Sequence, residues 1–147
     1  MEIAVLACGC FWGPEIKFSR LDGIFKTEVG YCGGNTSKTS YKEVCEGDTN
    51  HAEVVKLDFD PKIISYEKIL DYFFEIHDPT TLNSQGPDFG TQYRSEIFYL
   101  NDEQKNIAKK ITEKYNKRYS GKVVTKISQI KNYCIAEEYH QKYLEKR

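Results

Sequence analysis

The stretch IAVLACGCFWG, residues 3–13, decides how the chain begins to fold. Its first residues, Ile3–Leu6, are all apolar, and such a short apolar run predicts a buried strand. A helical pattern follows from Ile16 to Leu21. Cys10 is therefore predicted to lie where a strand passes into a helix. A thiol at such a junction is near unpaired backbone N–H groups and the positive end of the helix dipole, so we expect a lowered pKa and a favoured thiolate.

Two aromatic residues, Phe11 and Trp12, directly follow Cys10 and are flanked by Gly9 and Gly13. Aromatic side chains beside a sulfur can wall a small apolar pocket. Aromatic residues are also typical of a buried core, and composition by itself favours that interpretation. These residues alone do not decide between a pocket and a core.

The whole-chain numbers are those of an ordinary globular protein. The 147 residues include 39% hydrophobic and 29% charged side chains, which predicts one compact domain spanning residues 1–147. The 21 Lys and Arg residues face 22 Asp and Glu residues, so no net positive field attracts the chain to nucleic acid phosphates. We expect a monomer without a nucleic acid partner.

Two features of the sequence indicate a cytoplasmic protein. The longest apolar runs, such as Ile3–Leu6, are far shorter than the roughly 20 residues that cross a bilayer. No basic region precedes the first apolar stretch, and Cys10 comes too early for a secretory signal before it. We therefore expect no membrane association and a cytoplasmic location.

Strand and helix patterns alternate along the rest of the chain, which favours a sheet covered by helices. Strands are predicted at Phe25–Tyr31, Glu53–Phe59, Ser95–Leu100 and Val123–Ile130. Helices are predicted at Tyr41–Cys45, from the N-cap Ser65 to about His77, from Asn101 or Asp102 to about Tyr119, and at Ala136–Leu144. The segment Asp78–Gln92 has no periodicity and contains two prolines and two glycines, so it is predicted to be a long functional loop.

The five cysteines cannot all be paired, and a reducing cytosol opposes pairing. They could serve core packing, metal binding or redox chemistry. A zinc site is disfavoured because no C-x-x-C spacing is present. The three histidines, His51, His77 and His140, are not assigned to catalysis.

The segment Gly9-Cys10-Phe11-Trp12-Gly13, followed by Glu15, resembles the signature of the A-type peptide methionine sulfoxide reductases. Further motifs match that family in order and spacing across almost the whole chain. They are Gly30-Tyr31-Cys32-Gly33-Gly34, Tyr41-Lys42-Glu43-Val44-Cys45, His51-Ala52-Glu53, Gly90-Thr91-Gln92-Tyr93-Arg94-Ser95 and Ala136-Glu137-Glu138-Tyr139-His140-Gln141.

The resemblance implies a nucleophile, an acid, polar groups around the sulfoxide and a cradle for the substrate methyl group. It implies Cys10 as the nucleophile and Glu53 as the acid. The implied polar groups are Tyr41, Tyr93 and Asp88, and the implied methyl cradle is Phe11 and Trp12. The chemistry is consistent, because a sulfoxide sulfur accepts a thiolate only if its oxygen receives a proton or strong hydrogen bonds. Without the resemblance, Glu53 would be taken for the solvated face of a strand and Asp88 for a turn residue.

The resemblance also implies an α+β fold, a two-layer ferredoxin-like sandwich with a mixed, mostly antiparallel sheet of about five or six strands. The implied activity is peptide-methionine (S)-S-oxide reduction, on free or protein-bound methionine sulfoxide. Its products are methionine and a Cys10 sulfenic acid, which an external thiol such as thioredoxin, glutaredoxin or glutathione reduces. No metal or other cofactor is implied.

Two other functions were considered. A general thiol-disulfide oxidoreductase is disfavoured because the chain has no C-x-x-C motif. A zinc-stabilised binding module would contain stoichiometric metal, which metal analysis would detect.

The sequence differs from the family pattern in the cysteines that return oxidised Cys10 to the thiol. Many relatives carry recycling cysteines in a glycine-rich tail after the Tyr-His-Gln segment, and this sequence ends at Arg147 without one. Cys32 or Cys134 could replace them, whereas Cys8 is so close in sequence that a disulfide would be strained. Cys45 is a further candidate for a disulfide with Cys10. We expect direct reduction by an external thiol.

Overall fold

The computed structural model describes residues 1–146 and contains eight strands and five helices within that range. The strands are β1 (Glu2–Cys8), β2 (Ile24–Cys32), β3 (Ala52–Phe59), β4 (Ser84–Gln85), β5 (Asp88–Phe89), β6 (Ser95–Tyr99), β7 (Lys126–Gln129) and β8 (Cys134–Ile135). The helices are α1 (Trp12–Ser19), α2 (Tyr41–Glu46), α3 (Tyr66–Glu75), α4 (Asp102–Arg118) and α5 (Tyr143–Lys146).

Six strands form one sheet in the order β7-β6-β1-β3-β2-β8. All neighbouring pairs are antiparallel except β6 and β7, which are parallel. β4 and β5 form a separate two-stranded hairpin. The α+β class and the mostly antiparallel mixed sheet are confirmed. Because β1 lies between β3 and β6, the segment that leaves β1 toward Cys10 starts from the middle of the sheet.

The core lies mainly on one face of the sheet. Helices α1, α3 and α4 contribute Phe18, Phe73 and Ile111 to a cluster that also contains Phe11. The other face carries a smaller cluster that includes Cys32 and has no helical member among the described residues. The molecule therefore has two layers, a sheet and a layer of helices.

Side-chain caps explain where two of the helices begin. Ser65 accepts a hydrogen bond from the backbone N–H of Lys68 at 3.1 Å, as predicted. Asn101 accepts from the N–H of Gln104 at 2.9 Å, which identifies it rather than Asp102 as the cap of α4. Within residues 1–146, no helix has the length and apolar character of a membrane span.

The predicted C-terminal helix Ala136–Leu144 is wrong. Residues Glu138–His140 form a 3₁₀ turn, and α5 begins only at Tyr143. The reason is tertiary: the amide of Gln141 bonds both the N–H and the C=O of Val29, each at 2.9 Å. This segment therefore docks on β2 instead of coiling on itself.

Two further predictions need correction. The loop Asp78–Gln92 contains the β4–β5 hairpin, whose turn includes Gly86 with a positive φ of 59°. The predicted strand Val123–Ile130 is shorter, because β7 spans only Lys126–Gln129. The first correction concerns a hairpin outside the six-stranded sheet, and the second concerns a strand at its edge.

Candidate active site

Cys10 lies in a tight turn between β1 and α1, and its predicted position at a strand-to-helix junction is confirmed. The preceding residue, Gly9, has a φ of 94°. A Cβ atom on Gly9 would lie 2.8 Å from Cβ of Gln85. Glycine is therefore required there for two reasons, backbone conformation and close approach. Because Gln85 belongs to β4, this contact holds the β4–β5 hairpin against the turn that carries the nucleophile.

The pKa of Cys10 corrects a prediction made from the sequence. Its pKa is raised to about 11, mainly by burial. A hydrogen bond from the backbone N–H of Trp12 lowers the pKa, and the nearby carboxylates of Glu53 and Asp88 raise it. The N–H group at the start of the helix lowers the pKa of Cys10, as predicted. This effect is smaller than the cost of ionising a buried thiol beside two acids. The resting nucleophile is therefore a thiol.

Glu53 is the buried acid of the site. It lies on β3 opposite Tyr31 and is 1% exposed, which excludes a solvated face. Its Oε1 accepts from the backbone N–H of Phe11 at 3.2 Å, and its Oε2 accepts from Nε2 of Gln92 at 3.4 Å. Burial raises its pKa to about 7 despite these two bonds, and the charge of Asp88 adds to the rise. Glu53 therefore exchanges a proton near neutral pH.

The two predicted tyrosines come together at the same place. The hydroxyls of Tyr41 and Tyr93 interact with each other, and both groups are influenced by the charge of Glu53. Burial raises the pKa of Tyr41, and it raises that of Tyr93 to about 12. Both hydroxyls therefore keep their protons and can donate hydrogen bonds at neutral pH.

Asp88 is held near the nucleophile by the β4–β5 hairpin, where it pairs with Gln85. Its charge raises the pKa of Cys10, Glu53 and Tyr93, which places it within electrostatic reach of all three. The structure thus brings all five predicted polar residues of the site together.

The two predicted pocket aromatics differ in exposure. Phe11 is 1% exposed, with its ring centroid 5.8 Å from that of Tyr31, so it belongs to the core. Trp12 is only half-buried and stacks on Tyr143 with 3.8 Å between ring centroids. Of the two aromatic residues, Trp12 is therefore the one whose side chain remains partly accessible.

Three further residues of the site were not predicted. Gln92 bonds Glu53, as described above. Glu137 accepts from the hydroxyl of Tyr31 at 2.9 Å and from the backbone N–H of Tyr41 at 3.0 Å. Nδ1 of His140 accepts from Nε1 of Trp12 at 3.1 Å. The available signal for Glu137 and His140 was the motif Ala136–Gln141, but this segment was predicted to be a helix. The signal for Gln92 was the motif Gly90–Ser95.

The other cysteines are free thiols in distinct surroundings. Cys32 is buried in the cluster on the far face of the sheet, away from Phe11. Cys134 pairs with Tyr31 at the outer edge of the sheet. Cys45 is exposed, and its sulfur accepts from Nε2 of Gln92 at 3.3 Å. Since Gln92 also bonds Glu53, Cys45 is the second thiol that lies at the site.

Across residues 1–146, no cluster of three or more His, Cys, Asp or Glu side chains is arranged to hold a metal ion. The site instead combines a thiol, an acid of near-neutral pKa and two tyrosine hydroxyls. This set suits reduction of a polar S=O group, which needs a sulfur nucleophile together with proton and hydrogen-bond donors to oxygen.

Comparison with known proteins agrees with this chemistry. The family model described as "Peptide methionine sulfoxide reductase" matches residues 2–147. A relative from Pelagibacter ubique, named peptide methionine sulfoxide reductase MsrA, is 76% identical over 147 residues, 100% of both chains.

Two solved structures are also similar. Reduced Mxr1 from Saccharomyces cerevisiae has a TM-score of 0.95 and 47% identity, with 99% of this chain and 85% of that chain covered. Mxr1 in complex with Trx2 has a TM-score of 0.70 and 30% identity, with 97% and 84% covered.

Proposed function

The chain belongs to the peptide methionine sulfoxide reductase family, and from this premise we propose how its residues perform the reaction. The protein reduces methionine sulfoxide to methionine, and a general thiol-disulfide exchange activity is not favoured. The observation that carries the proposal is the pairing of a buried Glu53, whose pKa is raised to about 7, with the turn that holds Cys10.

The reaction begins with one proton shared between Cys10 and Glu53. At neutral pH the thiol of Cys10 is protonated and about half of the Glu53 carboxyl groups are ionised, as their pKa values of about 11 and about 7 require. The thiol proton passes to the Glu53 carboxylate. This transfer creates the thiolate and the carboxylic acid in one step, and it removes the negative charge that opposed ionisation of Cys10.

The thiolate then attacks the sulfur of the sulfoxide, and Glu53 returns the proton to the oxygen. An S–S bond to the substrate forms first. The protonated oxygen then passes from the substrate sulfur to the Cys10 sulfur as the S–O bond and the new S–S bond break, and the electron pair of the S–S bond stays on the methionine sulfur. Methionine gains two electrons and Cys10 loses two, becoming a sulfenic acid. The balance is one thiol plus one sulfoxide giving one sulfenic acid plus one thioether, without any other reactant.

Tyr41 and Tyr93 stabilise the charge that collects on the sulfoxide oxygen. Their protonated hydroxyls lie beside Glu53, so all three donors converge on one place. Trp12 provides an apolar wall for the methyl group on the other side of the sulfur. A polar side and an apolar side can distinguish the two epimers of a chiral sulfoxide, and the resemblance to the A-type family implies the S epimer, which we propose as the substrate. Incubation with the separated epimers tests this, since reduction of the R epimer at an equal rate would contradict it.

An external thiol returns the Cys10 sulfenic acid to the thiol. The complex of the similar yeast protein Mxr1 with Trx2 supports a thioredoxin-type partner. Small thiols and glutaredoxins can perform the same exchange at an exposed sulfenic acid. Turnover with thioredoxin, glutaredoxin and glutathione as sole reductants compares them directly. Failure of all three would overturn an external thiol as the reductant.

The proposal includes a monomeric, cytoplasmic enzyme. The need for a reduced Cys10 supports a reducing compartment. Light scattering of the purified protein and fractionation of cells test the two statements, and a dimer or a periplasmic pool would contradict them.

A further inference from the structure

Arg94 and Glu96 form a buried ion pair on the face of the sheet that has no helical member among the described residues. Glu96 lies on β6, two residues before Phe98, which belongs to the apolar cluster on that face. Nε of Arg94 donates to Oε1 of Glu96 at 2.6 Å, and the hydroxyl of Ser128 donates to Oε2 at 2.6 Å. Arg94 is 6% exposed and Glu96 is 4% exposed. The guanidinium group is therefore fixed by a carboxylate that is itself held by the sheet.

The same guanidinium group reaches the turn that carries two residues of the site. Nη1 of Arg94 donates to the backbone carbonyl of Thr91 at 2.8 Å, and the backbone N–H of Arg94 donates to that carbonyl at 3.3 Å. Thr91 begins the 3₁₀ turn Thr91–Tyr93, which also holds Gln92, the hydrogen-bond donor to Glu53. One planar side chain therefore joins β6 to the turn beside the buried acid.

Stability alone does not account for this ion pair. Two charges lose their hydration when they are buried, and well-packed apolar side chains of similar size often stabilise a protein equally well or better. The neighbouring cluster is apolar, with Val5, Ala7 and Phe98 among its members. Apolar side chains cannot supply the bond to the Thr91 carbonyl, because that bond needs the planar donors of a guanidinium group.

We propose that Arg94, held in place by Glu96, is a positioning residue that fixes the turn Thr91–Tyr93. The fixed turn presents the amide of Gln92 to the acid and the hydroxyl of Tyr93 to the sulfoxide oxygen. Among the described residues, neither side chain of the ion pair bonds a titratable group of the site, so the pair acts through the turn. This inference rests on the proposed function, and it adds the device that keeps the hydrogen-bond donors aligned.

Loosening of the turn would change the proton affinity of Glu53. Burial raises the pKa of Glu53 to about 7, the bond from Gln92 lowers it, and the charge of Asp88 raises it. Loss of the bond from Gln92 would therefore raise this pKa further. Because Glu53 must be ionised to take the proton of Cys10, the rising limb of the pH profile would then move to higher pH. The titratable groups around Glu53 are Cys10, Tyr31, Tyr41, Asp88 and, on the turn itself, Tyr93.

The test replaces the pair by apolar side chains, Arg94→Met together with Glu96→Leu, which leaves the net charge unchanged. We expect the free energy of unfolding to stay close to that of wild type. The single-turnover rate at saturating methyl sulfoxide is expected to fall roughly tenfold or more, with little change in the half-saturating concentration, because the donors act on charge that develops during the reaction. The rise of kcat/KM is expected to move upward by roughly 0.5 to 1 pH unit, the size of one weakened hydrogen bond to a carboxylate.

Asp71→Leu together with Lys114→Met is the matched control. These two residues form the other ion pair within residues 1–146, with 3.0 Å between Nζ and Oδ1, and they join α3 to α4. This double variant is expected to keep the wild-type rate and pH profile. A wild-type rate and profile in Arg94→Met with Glu96→Leu, or an equal change in the control, would overturn the proposal.

Arg94→Lys decides the case in which the apolar double variant does not fold. Lysine keeps the charge opposite Glu96, but its single ammonium group does not reproduce the fork that bonds Glu96 and the Thr91 carbonyl together. The same upward pH shift supports the proposal, and a wild-type profile overturns it.

A separate readout distinguishes this inference from the proposed function. If wild-type protein reduced no methyl sulfoxide, the proposed function would fail. Carbon-13 NMR titration of the glutamate carboxyls would still judge whether Arg94 acts on Glu53, with the Glu53 signal assigned by its absence in Glu53→Gln. An unchanged Glu53 pKa in the Arg94 variants would overturn the positioning role.

Discussion

The backbone N–H of Phe11, the residue directly after Cys10, donates a 3.2 Å hydrogen bond to Oε1 of Glu53. This bond joins the turn that carries the nucleophile to the strand that carries the acid. Because Phe11 is itself anchored in the core, the Glu53 carboxylate is held by a fixed backbone group of the turn that carries Cys10. Preorganisation of this kind removes an entropic cost from the reaction.

Replacing Glu53 by Gln is expected to slow the reductive step by roughly 10²-fold or more, since an amide keeps a hydrogen bond but cannot exchange the proton. Substrate binding is expected to change little. Single-turnover kinetics with a methyl sulfoxide measure the step directly. A wild-type rate in Glu53→Gln would transfer the acid role to another residue.

The same variant has an expected effect on stability. The folded-state pKa of Glu53, about 7, lies above its ordinary value of 4.5. The folded protein therefore binds this proton more tightly, and its stabilising effect, complete below pH 4.5, is lost as pH rises through 7. Gln does not titrate, so Glu53→Gln is expected to gain stability relative to wild type by up to about 3 kcal/mol at pH 8. Denaturant unfolding at pH 5 and pH 8 measures this gain, and a pH-independent difference would contradict it.

The rate is expected to depend on the proton shared by Cys10 and Glu53. Between their pKa values of about 7 and about 11 the pair holds one proton, which is the number that the thiolate and the carboxylic acid require. We therefore expect kcat/KM to rise toward pH 7, to stay level, and to fall near pH 11. A profile that falls between pH 7 and pH 9 would contradict this account.

Oxidation by substrate without reductant is expected to consume one thiol and leave a dimedone-reactive sulfenic acid on Cys10. Cys32 lies on the other face of the sheet and Cys134 at its outer edge, so neither is placed to attack Cys10. Mass spectrometry of the oxidised protein distinguishes the outcomes. A Cys10–Cys32 or Cys10–Cys134 disulfide as the main species would contradict the prediction. A Cys10–Cys45 disulfide would contradict it too, and Cys45→Ser would then identify the partner.

Most of the sheet was predictable because its signals are local, whereas most of the site was predictable only from the motif resemblance. Alternation of side chains along Glu53–Phe59 predicted β3, and caps at Ser65 and at Asn101 or Asp102 predicted the helix starts. The positions of Cys10 and Glu53 followed from the motif resemblance. Their proximity in space agrees with it.

The segment after Ala136 was not predictable from its own pattern. Its conformation is decided by distant partners: Gln141 bonds β2, and Glu15 accepts from the N–H of Lys142 at 2.7 Å. The pKa of Cys10 was missed for a related reason, since burial and the approach of Asp88 depend on the assembled fold. Both failures concern long-range contacts that periodicity does not encode.

The central claim is that Cys10 reduces the sulfoxide, and one measurement tests it most directly. Wild-type protein and Cys10→Ser are incubated with excess methionine sulfoxide, without reductant, and the methionine formed per chain is counted. A serine hydroxyl is not ionised and cannot take oxygen from sulfur, so we predict about one methionine per wild-type chain and none from the variant, if only Cys10 is oxidised. Methionine formed by Cys10→Ser in an amount comparable to wild type would contradict the account.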